Sequence, residues 1–379
     1  MKKVLIIGPI QDFGGREIET NIIAKSLKNN YDVNIISTSY ITDASQALKN
    51  LQLKANSLDK IIYKKHIIYR FLSFLSKIIN RGTKDNYGYI NNSISKKIGI
   101  QKKYFNVLKS TILKNDVIFI CAQVSSNHIK NIIDLSKKHH KFILFRTTGT
   151  IKEIPKEDCN FLKKVDLFAH HSNFNAIKMV NQIKTNYIII DQCSLKECQL
   201  LKIPKKIKKP LRFGYLGRLD KEKGILPLIN LFSKRNDTLV IAGKGPLEEE
   251  LKERTKTNKN CNFMGAIDND KIDVFFEKID VLIISSKEEA GPLVGIEAMA
   301  AGKIIISTKV GTMPERLEST KNNFWFDFND FESLENQLNI VHKLKPEDLH
   351  KIGEELREKY ISNYSFKQIS SQYNNLLNL

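Results

Sequence analysis

Short runs that are apolar at every position, each followed by a loop and a helical pattern, recur along this chain and restrict its fold more than any other feature. Val4-Leu5-Ile6-Ile7, Val117-Ile118-Phe119-Ile120, Phe142-Ile143-Leu144-Phe145, Val281-Leu282-Ile283-Ile284 and Ile304-Ile305-Ile306 lack polar alternation and are too short for helices. That is the pattern of strands covered on both faces. After the first run comes the loop Gly8-Pro9-Ile10-Gln11-Asp12-Phe13-Gly14-Gly15. A helical pattern over 16–28 follows, with Ile18, Ile22, Ile23 and Leu27 on one side, and then the strand Val33-Asn34-Ile35-Ile36. Strand, glycine turn, helix, strand opens a parallel sheet packed between helices.

The run at 203–210, with two prolines and four lysines, has little to bury and reads as a linker. Beyond it the alternation restarts, with strands expected at 212–216, 238–241 and 262–264 and helices at 225–232, 247–256, 271–276 and 294–301. A chain of 379 residues has room for two domains of ordinary size. The expectation is an α/β protein with Rossmann-like domains at 1–205 and 206–361 and an interdomain cleft. A final helix at 362–379 carries Phe366, Ile369, Tyr373, Leu376 and Leu377 at helical spacing. Ligands of such sheets bind beyond the carboxyl ends of the strands.

Met1-Lys2-Lys3 before an apolar run imitates a secretory signal, but the run stops at Gly8-Pro9 without a cleavage site, so a cytoplasmic location is expected. Five scattered cysteines cannot all pair within the chain, and Cys193 and Cys198 have no second pair or adjacent His, so no metal is assigned. Asp268-Asn269-Asp270 precedes a helix and reads as a cap rather than a cation site. The formal charge of +20 attracts phosphates or anionic surfaces. No zinc finger, helix-turn-helix or aromatic ribonucleoprotein motif accompanies it, and nucleic acid is not expected as a partner.

Two constellations can carry chemistry. Gly217-Arg218-Leu219-Asp220-Lys221-Glu222-Lys223-Gly224 follows an expected strand, and a loop wrapped over the strand end can bring Arg218 and Lys223 round one anion. The other possibility is a solvated loop. The second, Ser285 through Gly302, follows the strand Val281–Ile284. Glu289 lies in the loop, backbone N–H groups near Gly291, Leu293 and Val294 favour negative charge at the helix start, and Glu297 stands about one turn inside. A carboxylate accepts a pair of hydrogen bonds from a vicinal diol, so Glu289 and Glu297 can hold two sugars with a phosphate between them. The alternative leaves Glu289 solvated and Glu297 on an exposed helix face. His170-His171-Ser172 contains either a general base or a solvent-facing turn.

In these residues the chain resembles the retaining, nucleotide-sugar-dependent glycosyltransferases of family 4, the glycosyl transferases group 1, which have the GT-B architecture of two facing Rossmann-like domains. The resemblance rests on Glu289 and Glu297 with seven residues between them, the following Ala298-Met299-Ala300-Ala301-Gly302, and Gly217-Arg218 with Lys223-Gly224. Ile241-Ala242-Gly243-Lys244-Gly245-Pro246 and Val310-Gly311-Thr312-Met313-Pro314-Glu315 stand in the same order. It implies that Arg218 and Lys223 hold the donor diphosphate and stabilise its departure, Glu297 binds the ribose, and Glu289 binds the transferred sugar. Gly14-Gly15 resembles the family's N-terminal glycine turn near donor and acceptor. Ala290 after Glu289 departs from the family pattern, and neither Ile120-Cys121-Ala122-Gln123 nor Phe145-Arg146-Thr147-Thr148 offers the family's histidine, so no catalytic histidine is assigned.

The implied reaction moves a sugar from a nucleoside-diphosphate sugar, as co-substrate and without a resident cofactor, to a saccharide or lipid-linked saccharide in bacterial surface polysaccharide synthesis such as capsule, O-antigen or lipopolysaccharide. The alternatives are a nucleotide-sugar epimerase on the same fold and a non-catalytic nucleotide-sugar-binding protein. Residues 59–81 read as one basic, amphipathic helix with Ile61, Lys65, Ile68, Leu72, Leu75 and Ile79 on a side. An anionic membrane surface is therefore an expected partner, with the protein peripheral on the inner face of the cytoplasmic membrane. The other possibility is a helix packed on its own sheet.

Overall fold

The computed structural model describes residues 1–204, 207 and 209–377. These form two compact units, Met1–Ile190 with Ser370–Leu379, and Asp191–Ile369. The boundary expected at 205/206 falls on Lys205 and Lys206, outside the described residues, as do Asn378 and Leu379 of the expected final helix. The division comes earlier because the residues after Asp191 pack within the second unit. Asp191 pairs with Arg316 at 2.6 Å, Glu197 accepts from the Tyr360 hydroxyl at 2.9 Å, and Leu200 and Ile203 join that unit's core.

The first unit is built on β1 (Lys3–Gly8), β2 (Asp32–Ser37), β3 (Val117–Ala122), β4 (Phe142–Thr147), β5 (Leu167–His170) and β6 (Tyr187–Ile189). They are paired in parallel in the order β2-β1-β3-β4-β5-β6. The apolar runs are its central strands, buried on both faces as their composition requires. Gly8 ends β1 where a Cβ would lie 2.0 Å from the Cys121 carbonyl oxygen, so only glycine lets β1 and β3 approach there. Helix α1 (Gly15–Leu27) follows the glycine loop, and α2 (Leu58–Lys65), α3 (Ile67–Ile79), α4 (Ser93–Lys97) and α5 (Ile100–Leu113) fill the connection from β2 to β3.

The single helix expected over 59–81 is two. His66 is extended (φ −132°, ψ 109°) and breaks the run, so the α2 face does not continue into α3. The final helix covers Phe366–Leu377 rather than starting at 362, since Tyr360–Tyr364 forms a wider helical turn before it. Its Tyr373 hydroxyl donates to the Glu19 carboxylate at 2.5 Å, with Ile369, Leu376 and Leu377 buried. Asp268 makes no side-chain cap, so the capping expected there is not its role, and Asp270 instead pairs with Lys196.

The second unit has β7 (Arg212–Leu216), β8 (Thr238–Ala242), β9 (Cys261–Phe263), β10 (Val281–Ile284), β11 (Ile304–Thr308) and β12 (Phe324–Phe326), all parallel, in the order β12-β11-β10-β7-β8-β9. Strand order reverses between β7 and β10. Loops leaving the carboxyl ends of these two neighbours diverge to opposite sides, which opens a crevice in this topology. Asp280 fixes the other end of the pair: its carboxylate takes the Arg212 backbone N–H at 3.0 Å and the guanidinium at 2.9 and 3.0 Å.

Candidate functional site

The loops after β7 and β10 are stitched together at this switch point. Gly224 adopts φ 66°, and a Cβ there would lie 2.3 Å from the Ser285 carbonyl oxygen. The Ser285 hydroxyl donates to the Lys223 carbonyl at 2.7 Å, and the Lys287 N–H donates to the Glu222 carbonyl at 2.8 Å. Asp220 accepts from the Lys223 N–H at 3.2 Å, closing the turn that carries Lys223. The Lys223 ammonium is thereby brought onto the Glu289 carboxylate, which also accepts from the Ser286 hydroxyl at 2.8 Å. Both partners are largely buried, so the solvated reading of Glu289 does not hold.

Arg218 sits differently. Its carbonyl is held by the Tyr215 hydroxyl at 2.8 Å, while its side chain is 68% exposed and lies 3.2 Å from Asp220. Each cation is therefore engaged with its own carboxylate rather than both surrounding one group. Gly243 and Gly245 flank the same loop, and a Cβ on Gly243 would fall 1.8 Å from the Gly217 carbonyl oxygen.

Glu297 lies within the helix Leu293–Ala301 and is 3% exposed, which rules out the exposed-face reading. Burial pushes its carboxyl up to about 8, against a hydrogen bond from Ser194 and the charge of Arg316. Oε1 has no hydrogen-bond partner. A buried polar atom left unpaired is costly, so Oε1 is a candidate acceptor for a ligand hydroxyl. The helix start has Pro292 at its cap and no side-chain cap, so the N–H groups of Leu293 and Val294 meet no capping side chain. Gly291 lies beside Gln192, Thr312 and Arg316, where a Cβ would come within 3.1–3.4 Å of their polar atoms. Arg316, fully buried, donates to the Pro292 carbonyl at 2.6 Å and to both Asp191 oxygens at 2.6 and 2.9 Å.

Residues 199–359 match the family model of glycosyl transferases group 1. Over 176 residues the chain is 28% identical to the lipopolysaccharide 1,2-N-acetylglucosaminetransferase of Salmonella typhimurium, which covers 42% of this chain and 46% of that protein. Over 118 residues it is 30% identical to an uncharacterized glycosyltransferase of Methanocaldococcus jannaschii, covering 29% of this chain and 30% of that one. These alignments span less than half of either relative. Among solved structures, Anabaena HepE in complex with UDP superposes with a TM-score of 0.76 at 14% identity, covering 100% of both chains. The fold is thus the GT-B one, and the segment that matches the glycosyl transferases group 1 model lies within the second unit. Arg218, Lys223, Glu289, Gly291, Leu293, Val294 and Glu297 all fall inside that segment.

Gly14 and Gly15 belong to the first unit and stand outside the matched segment. Gly14, at φ 139°, donates its N–H to Gln46 Oε1 at 3.2 Å, and a Cβ on Gly15 would meet nothing within 4 Å. His170 and His171 are buried, so the solvent-facing turn is excluded. His170 Nδ1 is 2.8 Å from the Thr147 hydroxyl and His171 Nδ1 is 2.5 Å from the Arg146 guanidinium. Burial, helped by Arg146, lowers the His170 imidazole to about 4, leaving it neutral. Sequence reasoning missed Asp191, Gln192, Ser194 and Arg316. Arg316 lies 125 positions from Asp191, and no local pattern signals such a pair.

Proposed function

We propose that the chain is a retaining family 4 glycosyltransferase, moving a sugar from a nucleoside-diphosphate sugar to a saccharide or lipid-linked saccharide in bacterial surface polysaccharide synthesis, in the cytoplasm and without a resident cofactor. The observation that carries this reading is Glu297, a buried carboxyl with an unpartnered oxygen one turn into a helix that starts beside the Lys223–Glu289 pair. A ribose hydroxyl supplies the donor that Oε1 of this carboxyl lacks. The diphosphate takes the uncapped N–H groups at Leu293 and Val294 together with Lys223 and Arg218. When Lys223 turns to phosphate, Glu289 is released to accept from the hydroxyls of the transferred sugar.

In the reaction the bond from the anomeric carbon to the diphosphate oxygen breaks, its electron pair leaving with the diphosphate, while an acceptor hydroxyl oxygen bonds to that carbon on the same face and gives up its proton to the departing diphosphate oxygen. Negative charge grows on the leaving group, and cations placed there stabilise the transition state more than the ground state. On this reading Gly14 and Gly15 have a substrate-binding role near the donor phosphate and the acceptor.

A panel of nucleoside diphosphates and their sugars tests this by protection against thermal unfolding, followed by product analysis of each ligand that binds. Transfer frees a nucleoside diphosphate when acceptor is present. An epimerase returns an altered sugar still on its nucleotide without any acceptor, and a binding protein returns the ligand unchanged.

A further inference from the structure

Helix α3 faces the wrong way for an ordinary surface helix. Its buried residues are Tyr69 and Ser73, while Ile67, Phe71, Phe74, Ile78 and Ile79 are exposed, Ile67 to 82% and Ile79 to 78%. A helix of a soluble domain turns its apolar stripe to the core. Here only Tyr69, with Leu72 in part, packs on the unit's core beside the buried Ser73, and polar ties hold that side. The Tyr69 hydroxyl reaches the Ile98 carbonyl at 3.4 Å, and the Asn92 side chain reaches the Leu72 carbonyl at 3.3 Å. Arg70 donates to the Tyr63 carbonyl at 2.8 Å, and also to that of Lys64, so the break at His66 is fastened and the orientation of α3 is fixed. Beside α3, Ile94 of α4 and the adjacent Ile98 are also exposed, by 56% and 45%. Exposed apolar patches of this extent mark interaction surfaces.

Charge decides the occupant. Residues 60–114, the segment that carries α3 and α4, contain 13 Lys and Arg and one carboxylate, Asp85, and so hold most of the chain's +20. A second copy of the chain would set two such basic fields against each other across a two-fold axis. Nucleic acid answers the charge but not the isoleucines and phenylalanines. An anionic lipid surface answers both, with apolar side chains at the acyl boundary and lysines among the headgroups. Spanning is excluded for α3: 13 residues at about 1.5 Å each fall well short of the ~30 Å hydrocarbon core.

We propose that α3, with Ile94 alongside, is an interfacial helix that docks the first unit on anionic membrane, lying in the plane of the bilayer surface. This stands independently of the nucleotide-sugar reading. The test is cosedimentation of the full chain with phosphatidylcholine vesicles with and without phosphatidylglycerol, comparing the parent with Phe71→Asp/Ile78→Asp. Both positions are exposed, so no core is opened, and melting temperature checks the fold. The expected result is at least tenfold more binding to the anionic vesicles, weakened by salt and abolished by the double substitution, with nucleoside diphosphate affinity equal in both proteins. A parent that stays in the supernatant at low salt overturns the proposal, as does a folded double variant that pellets like the parent. So does sedimentation showing a dimer that the variant dissociates while vesicle binding is absent, because the face is then a subunit interface.

Discussion

Lys223 and Glu289 stand 66 positions apart in sequence and neutralise each other between the loops that leave β7 and β10. In the proposed site this pair is a resting state, with each member occupying the place that ligand groups take on binding.

That exchange makes opposite predictions for the two partners. Lys223→Ala removes a phosphate contact, so nucleoside diphosphate binding should weaken. Glu289→Gln frees Lys223, so nucleoside diphosphate should bind at least as tightly as to the parent, while turnover of the sugar donor drops by more than tenfold. Calorimetric titration with the diphosphate, alongside initial rates, checks both. Equal weakening by the two substitutions would contradict the exchange.

Arg218 is exposed and makes one short ion pair, so its removal should leave the fold alone. Assigned to charge on the leaving diphosphate, it should lower kcat/KM in Arg218→Ala by more than tenfold; losing one such contact costs about 3 kcal/mol in comparable sites. A melting temperature matching the parent, together with an unchanged kcat/KM, would remove it from the site.

Glu297 gives a pH signature in stability. Its carboxyl is raised from 4.5 to about 8 by burial. As pH rises through that window the unfolded chain gives up this proton and the native chain keeps it, so the native state loses stability. The contribution is complete below the unfolded value and gone above the folded one. Gln cannot ionise, so the melting temperature of Glu297→Gln minus that of the parent should climb from about pH 5 to about pH 8 and then level off. A flat difference across this range would mean that Glu297 is ionised in the native protein.

Gly224→Ala tests the stitch between the two loops. The residue sits at φ 66°, and the new Cβ would overlap the Ser285 carbonyl oxygen. A left-handed non-glycine residue alone costs about 1 kcal/mol, and the overlap adds to it. Lower resistance to denaturant together with weaker diphosphate binding is expected, since the shift moves Lys223.

The wholly apolar runs made the central strands of both sheets legible, because a strand covered on both faces has no polar position to disguise it. The three-residue edge strands Tyr187–Ile189 and Phe324–Phe326 gave no such signal, being short and, in the first, partly exposed. The helix break at His66 was also hidden, since the apolar spacing of 59–81 fits one helix and the turn at His66 is fixed by Arg70 reaching back. In the site, Glu289 and Glu297 could be read because their spacing falls within one loop and helix. Asp191, Gln192 and Arg316 could not, because they meet only through the fold. The burial of His170 and His171 was equally unreadable from a polar tripeptide.

The account turns on Glu297 holding the ribose common to nucleoside diphosphate and sugar donor. The most direct measurement is calorimetric titration of the parent and of folded Glu297→Gln with a panel of nucleoside diphosphates, beginning with UDP, and with the matching sugar donor. At least one nucleotide should bind the parent, and the substitution should weaken diphosphate and donor by a similar factor of tenfold or more. Dissociation constants that are the same in both proteins would contradict the account and leave Glu297 a buried residue of the helix core.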